Sequence, residues 1–450
     1  MGAARTIRTL ANSFPTITAN QHHDRRVATT HRRAAEVVVG RSTFRSRRGD
    51  VVRSYSQKSD DVPPSDRKYA MPLLNFPLKP FSSRATVFKE VVPGRIFTLE
   101  QEQAFVTICT NTRCTVVVLA DATLWVHCPV APTKECLRFI HSIGRPVKYI
   151  VLSTFAVEHK IYLGPFARKF PEAEVWVAPR QWTWPLNLPL QFLGVPRMDG
   201  VLEEGCATPW GDEIEHKVLI CDAGVGPFVE VDFFHRPTKT LIVTDAVVCV
   251  PEFPPEVLDR YNPSALFESA ADESLDAESG GRGRLEVAEG DARGLRRRGW
   301  AVMCLRVAFL KPITGVEGTF RKLYGRLLVS PLIEILVFSK ALPSVRRWCD
   351  AISSEWRFER VIPAHYDAPI KAGPADFRRA FDFAYIDETG SARGLPSTTK
   401  RGGLSNVFQK LRSVLPTRAA SPSLEDEKVT LREIDKFLVN TGVANAPMDD

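Results

Sequence analysis

Three apolar runs in this 450-residue chain end in residues that can bind a cation. "VKYIVLSTFAVEH" closes on Glu158 and His159, "TLIVTD" on Asp245, and "RVIPAH" on His365. In α/β sheets, the loops at the carboxyl ends of strands are where sites are assembled. Two carboxylates and two imidazoles form a donor set acceptable to zinc, iron or manganese. Each residue alone also has an ordinary explanation. A histidine after a strand can be a hydrogen-bonded structural residue, and Asp245 can cap the following turn. Three coincident strand ends raise the case for one shared site.

Other polar residues are weaker candidates. Strand alternation in "FVEVDFFH" sets Glu230, Asp232 and Phe234 on one face and Val231, Phe233 and His235 on the other. Glu230 is a candidate supporting or substitute ligand, with solvent exposure the favoured alternative. His127 closes the strand of "LWVHCP", and Trp182 and Trp184 in "RQWTWPLNLP" either wall a site or pack a loop, with packing favoured.

The elements that must carry these residues follow from periodicity. "TVVVLADATLWVHCPV" reads as a hairpin turning at 120–122, and "TKECLRFIHSIG" as a helix ended by Gly144. "VKYIVL" is a strand, "YLGPFARKFP" a short helix closed by Pro171, and "AEVWVAP" a strand. "HKVLICDA", "FVEVDFFH" and "KTLIVTDA" are three further strands, the last two joined at "RPT". Val345, Trp348, Ile352 and Trp356 make a stripe at helical spacing, read as core. "FERVIPAH" is a strand, and "ADFRRAFDFAY" a helix. Strands interspersed with helices predict a layered α/β protein.

The order of acid–His, Asp at a strand end and His at a strand end resembles the metallo-β-lactamase superfamily, with its H-x-H-x-D-H motif and later His, Asp and His. "VPGRIFTLEQEQ", "EHKIYLGPFARKFPEAEVWVAPRQW", "HRPTKTLIVTDAV" and "VIPAHYDAPIKAGPADFRRAFDF" are similar, more narrowly, to a family of unknown function within it, found in photosynthetic organisms. The resemblance implies an αβ/βα sandwich of two mixed sheets flanked by helices. It also implies a two-metal pattern of which this chain keeps half. With Glu158 and His159 at the D-H positions, the two preceding histidines fall on Thr154 and Ala156, and a third falls near Gly226. The first site's nitrogen ligands are therefore missing, whereas Glu158 (in place of Asp), His159, Asp245 and His365 supply the second.

Composition limits the alternatives. The net charge of +8 comes from residues 1–57, which hold 11 Arg, no Lys and 3 acids; the remainder carries 49 basic and 49 acidic residues. A neutral body argues against a nucleic-acid partner. The Arg-rich, acid-poor leader reads as an organelle transit peptide, with a basic tail that stays in the cytosol as the alternative. Composition does not separate the organelles; the resemblance points to a chloroplast or other plastid, with the mitochondrion as the alternative. No run is long enough to span a membrane: "LLVSPLIEILVF" is short, carries Pro331 and Glu334, and reads as buried helix. Nine scattered cysteines without C-x-x-C spacing argue against a disulfide framework.

The expected organisation is a leader at 1–57, a linker at 58–72 and a domain at 73–386. An acidic surface insertion is expected near 268–297, then a polar linker at 387–422 and a helix within 423–450 that packs back through Leu431, Ile434, Phe437 and Leu438. The expected function is a single-metal hydrolase-like protein acting on a small molecule, zinc being the first choice of ion. The alternative is a non-catalytic scaffold on the same fold.

Overall fold

A computed structural model of the protein describes residues 62–69, 78–80, 83–105, 108–182, 187, 189–193, 195, 197–224, 226–278, 280, 287–288, 290–385 and 423–447. The leader at 1–57 and the polar linker at 387–422 lie outside the described residues.

Two mixed sheets carry the architecture. The first runs β1 (Leu78–Lys79), β3 (Ile96–Phe105), β4 (Ile108–Val118), β5 (Leu124–His127), β6 (Val147–Leu152), β7 (Glu174–Val177) and β8 (Gly200–Val201), with β2 (Thr86–Val92) also paired to β3. Its β3, β4 and β5 are antiparallel, whereas β5 to β8 are parallel. The second runs β9 (Ile214–Asp222), β10 (Pro227–His235) and β11 (Thr240–Ile242) antiparallel; β14 (Arg360–Ile362) lies parallel to β11. A small antiparallel ribbon joins β12 (Val248–Cys249) to β13 (Leu327–Leu328).

Alternation sorts the side chains into layers. Trp125, Tyr149 and Val151 of the first sheet meet Val229, Val231 and Phe233 of the second in a buried core between them. The opposite face of the first sheet, with Val116, Ile150 and Leu152, is covered by α1 (Lys134–Ser142) and α2 (Val157–Ala167) through Cys136, Ile140, Leu163 and Phe166. The outer face of the second sheet, with Phe234, Leu241 and Val361, takes the predicted stripe of Val345, Trp348, Ile352 and Trp356, together with Phe377 and Phe381. The layer order is helix, sheet, sheet, helix, as the resemblance implies. Neither sheet could leave two apolar faces in water, so each needs a second cover.

Three elements depart from expectation. The stretch near 268–297 was expected as a surface insertion, but its described part is helical. After α3 (Glu256–Tyr261), α4 (Pro263–Ala271) and α5 (Ser274–Glu278) precede α6 (Ala292–Val307) and α7 (Gly315–Leu323). Leu275 is the residue of that stretch that joins the core cluster of the flanking Leu266, Trp300 and Phe320, whereas most of its other described residues are exposed. "LLVSPLIEILVF" splits into β13 and α8 (Pro331–Leu336), because Pro331 has no N–H to continue a helix but suits its first turn. Within the predicted 58–72 linker, a turn at Pro64–Arg67 docks on the domain: Arg67 pairs with Glu135 at 3.2 Å, and the Tyr69 and Tyr162 rings meet edge-on.

Beyond α9 (Leu342–Glu355) and α10 (Pro374–Ala380), α11 (Val429–Asn440) rests against α8. Leu431 is buried as expected, but Phe437 is 44% exposed; Asp435 turns inward instead, onto buried Lys340 at 2.7 Å. None of the nine cysteines forms a disulfide. Among the described residues, no helix is long and apolar enough to cross a membrane.

Candidate metal centre

The pairing of β11 with β14 explains two of the donors. Ile242 lies opposite Ile362 in parallel register. Asp245 and His365 each follow by three residues, so both leave the same sheet edge side by side. The His365 imidazole Nε2 lies 3.5 Å from Asp245 Oδ1. The other two donors come from the first sheet. β6 ends at Leu152, and α2 begins at Val157, putting Glu158 and His159 in its first turn. The sequence had placed this helix's start later, at Tyr162, because Ala156 offers no capping side chain. A carboxylate in a first helical turn faces the positive end of the helix dipole.

The two sheets are tied where these loops meet. Thr154 bridges Glu230, and the Val231 N–H donates to the Ser153 carbonyl at 2.9 Å. His159 Nε2 then sits 3.1 Å from His365 Nε2. One donor atom each from Glu158, His159, Asp245 and His365 can be chosen so that all lie within 4.8 Å of one another. The chain thus gathers the four sequence-selected residues.

Burial dominates the electrostatics of this cluster. Burial pushes the Asp245 carboxyl up to about 7, and burial together with Asp245 raises Glu158. Burial and the adjacent His365 hold His159 well below the ordinary imidazole value, and burial also lowers His365. His365 Nδ1 faces the Asn111 carbonyl at 2.8 Å. A carbonyl only accepts, so Nδ1 carries the proton and Nε2 presents its lone pair to the cluster.

A cation fits this arrangement. Ligand atoms at 2.0–2.2 Å from a tetrahedral zinc lie about 3.4 Å apart, close to the 3.1 and 3.5 Å found here. His365 Nε2 presents a bare lone pair, His159 Nε2 lies within hydrogen-bonding reach of it, and a positive charge here would favour both nitrogens and the two buried carboxyls. The same donors suit iron and manganese.

Glu230 is wholly buried, against the expectation of exposure. Its Oε1 accepts from the backbone N–H groups of Thr244, Asp245 and Ala246 at 2.7, 3.0 and 3.3 Å. It holds the loop that carries Asp245. Its face was predictable from alternation, but not the cover over that face. Burial and Asp245 push its carboxyl up to about 8, and Asp232 beside it is raised further by burial and by Glu230. Glu230→Ala leaves three buried N–H groups without this acceptor, so a stability loss of about 3 kcal/mol or more is expected. Glu230→Gln, which keeps an oxygen there, should lose less. Urea unfolding of the two variants checks this; equal losses would contradict the backbone clamp.

Sequence reasoning missed two supports. Arg113 on β4 is 1% exposed, pairs with Glu100 at 3.0 Å, and donates to the carbonyls of Pro363 and Tyr366. Asn111, two residues earlier, receives His365 Nδ1–H and bonds Tyr366 through both its amide atoms. No motif marks either residue. His127 does not join the four donors. Its Nε2 lies 2.7 Å from Ser153 Oγ, which is 2.5 Å from Thr244 Oγ1, in a polar knot that also includes Cys128. Burial pushes the His127 imidazole down to about 3, so it stays neutral.

The positions where the resemblance implies the missing histidines are otherwise filled. Thr154 is buried in the sheet-to-sheet bridge, and Ala156 occupies the residue position just before α2. Gly226 has φ +142°, and a Cβ there would come within 2.6 Å of the Trp182 ring. Trp184 lies outside the described residues.

Fold and site together define a four-layer α/β sandwich with one candidate metal centre at a shared sheet edge. Residues 93–317 and 313–383 match the family described as a domain of unknown function, DUF4336, and the chain belongs to that family. No curated protein matches it. Similar solved structures include a metallo-β-lactamase from Pontibacter korlensis, at 11% identity and TM-score 0.32 over 67% of this chain and 99% of that one. A metal-soaked Flv1 flavodiiron core from Synechocystis sp. PCC6803 is similar at 10% identity and TM-score 0.36, over 67% of this chain and 61% of that one. The DIM-1 metallo-β-lactamase is similar at 12% identity and TM-score 0.33, over 68% and 98%.

Proposed function

We propose that the protein holds one divalent ion through Glu158, His159, Asp245 and His365 and acts as a hydrolase-like enzyme on a small ester, thioester, amide or phosphoester. One observation supports this above all: four donors from three distant parts of the chain lie within 4.8 Å of one another. When bound, such an ion supplies Lewis acidity toward a carbonyl or phosphoryl oxygen and makes water beside it more acidic. Two anionic ligands temper that acidity relative to an all-histidine zinc. The chain's own contribution is orientation. Asn111 fixes the tautomer of His365, and Glu230 fixes the backbone of Asp245. Such supporting contacts set ligand geometry and basicity.

Protein purified without added metal should carry about one equivalent of zinc, iron or manganese per chain. Chelation should lower its melting temperature, and re-addition of the ion should restore it. A metal-free preparation that takes up none of the three ends this reading. A second reading, a non-catalytic scaffold that keeps its ion, is supported by the indole ring packed on Gly226 where the resemblance implies a further ligand. Metal-loaded protein that turns over no member of an ester, thioester, amide and phosphoester panel would favour the scaffold.

A further inference from the structure

Residues 423–447 are held on the domain more by charge than by apolar packing. A docked amphipathic helix ordinarily buries an apolar stripe. Of the six buried residues in this segment, however, Leu424, Leu431 and Ala444 are apolar, whereas Glu427, Lys428 and Asp435 are charged. Val429 and Phe437 stay exposed. The charged residues pair at three separate places: Glu427 with Lys322 of α7 at 2.5 Å, Lys428 with Glu334 of α8 at 2.6 Å, and Asp435 with Lys340 at 2.7 Å. Both signs occur on both sides of the contact, so the pairing fixes its register. Buried ion pairs add little net stability, because desolvation offsets their attraction. Elements with few buried apolar contacts are the ones that open first.

The same segment reaches the turn between β9 and β10. Asn445 donates from its backbone N–H to the Ala223 carbonyl at 3.0 Å and from Nδ2 to the Asp222 carbonyl at 2.8 Å. The two backbones lie so close that a Cβ at Gly224 would come within 2.6 Å of the Asn445 nitrogen. Asp222 in turn takes the guanidinium fork of Arg180, at 2.9 and 3.1 Å. Arg180 has φ +48°, a left-handed backbone that its surroundings must hold in a residue with a side chain. Next to it, Gln181 donates to the Thr154 carbonyl at 3.0 Å, and the Trp182 carbonyl accepts from Lys160 at 2.7 Å. Lys160 follows His159 in α2. A line of contacts therefore runs from the segment, through Asp222 and the loop at 180–182, to the helix that carries Glu158 and His159.

We propose that residues 423–447 form an ionic strap that holds the 180–182 loop beside the candidate metal centre, and that unfastening it opens a way to the buried donors. This rests on the metal reading of that centre. His159 is 1% and His365 9% exposed, so an ion or a substrate needs an entry path that some wall must give. The two sheets are bonded along their strands, whereas the loop is fixed by side-chain contacts, and the strap braces the outermost of them at Asp222. Fastened, it keeps Arg180 in its left-handed conformation and Trp182 against Gly226. Released, it loosens the turn between β9 and β10 and the loop with it.

Hydrogen–deuterium exchange of the purified full chain, read by mass spectrometry, tests the strap, with the rate of ion loss to a chelator as a second readout. Lys322→Glu sets two anions face to face at Glu427. It should speed exchange at 423–445 by about tenfold or more, and exchange at 178–182 and in the turn between β9 and β10 should rise with it. Ion loss should quicken in step. Adding Glu427→Lys, which swaps the pair, should return all three toward wild type. Asn445→Ala, at an exposed position, removes the side-chain bond to Asp222 alone. It should loosen 178–182 while exchange within α11 stays as it was, which keeps the test open if the charge reversal disturbs the fold. Faster exchange at 423–445 with 178–182 unchanged would overturn the proposal. So would wild-type exchange at 423–445 in Lys322→Glu, or an unchanged rate of ion loss where the loop has loosened. Coupled exchange in protein that takes up no ion would uphold the brace and refute the metal reading instead.

Discussion

His365→Ala is expected to cost the protein its tightly held metal while leaving the sandwich folded. Structural zinc sites bind with about 10–16 kcal/mol spread over four ligands. Deleting one ligand therefore removes roughly 3 kcal/mol, or about two orders of magnitude in affinity. His365 sits past the end of β14 rather than in either sheet, and the hydrogen bonds lost are those to the Asn111 carbonyl and to His159 Nε2. The fold should survive with a modest loss. Metal analysis after desalting, beside a circular dichroism melt, reads both effects. Asp245→Asn and Glu158→Gln serve as nearly isosteric companions that remove charge without removing bulk. Retention of metal at the wild-type level in all three variants would place the ion elsewhere, and the centre described above would be merely a polar cluster.

The largest stability effect is expected at Arg113. Removing one partner of a buried ion pair strands the other charge and typically costs about 3–5 kcal/mol. Glu100 would be that stranded charge, 1% exposed, with Lys89 at 3.6 Å and the Asn111 amide at 3.4 Å left beside it. The Pro363 and Tyr366 carbonyls would also lose a donor. A fall in melting temperature on the order of 10 °C is expected for Arg113→Ala. Because those carbonyls flank His365, weaker metal retention should accompany the fall. Arg113→Lys keeps the charge but not the fork, so it should lie between the two. A melting point within about 1 °C of wild type would show that β4 does not brace the His365 loop.

The four candidate ligands were legible because each ends an apolar run, and such a pattern fixes both the strand and its carboxyl end. Their convergence was not. It depends on the parallel register of Ile242 with Ile362, which joins residues 120 positions apart, and on the bridge from Thr154 to Glu230 between sheets. Neither leaves a local mark. Alternation along β10 correctly divided Glu230 and Asp232 from Val231 and Phe233. It could not reveal that α9 and α10 would cover the polar pair as well. Arg113 failed for the same reason: a long basic side chain in a strand reads as solvent-facing until a buried acid and a set of carbonyls are found around it. The turn at 64–67 was read as linker because proline and acid content describe its composition, not its dock.

The indole of Trp182 against Gly226 has a consequence for any redesign of the site. A side chain at 226 would meet a ring within 2.6 Å on a backbone with positive φ, so a single substitution there cannot introduce an imidazole without strain. Thr154 and Ala156 would have to change as well, together with the loop bearing the tryptophan. Intermediates along that route would be strained without yet gaining a ligand. A design that adds donors beside the centre must therefore rebuild the Trp182 contact and the Thr154 bridge together.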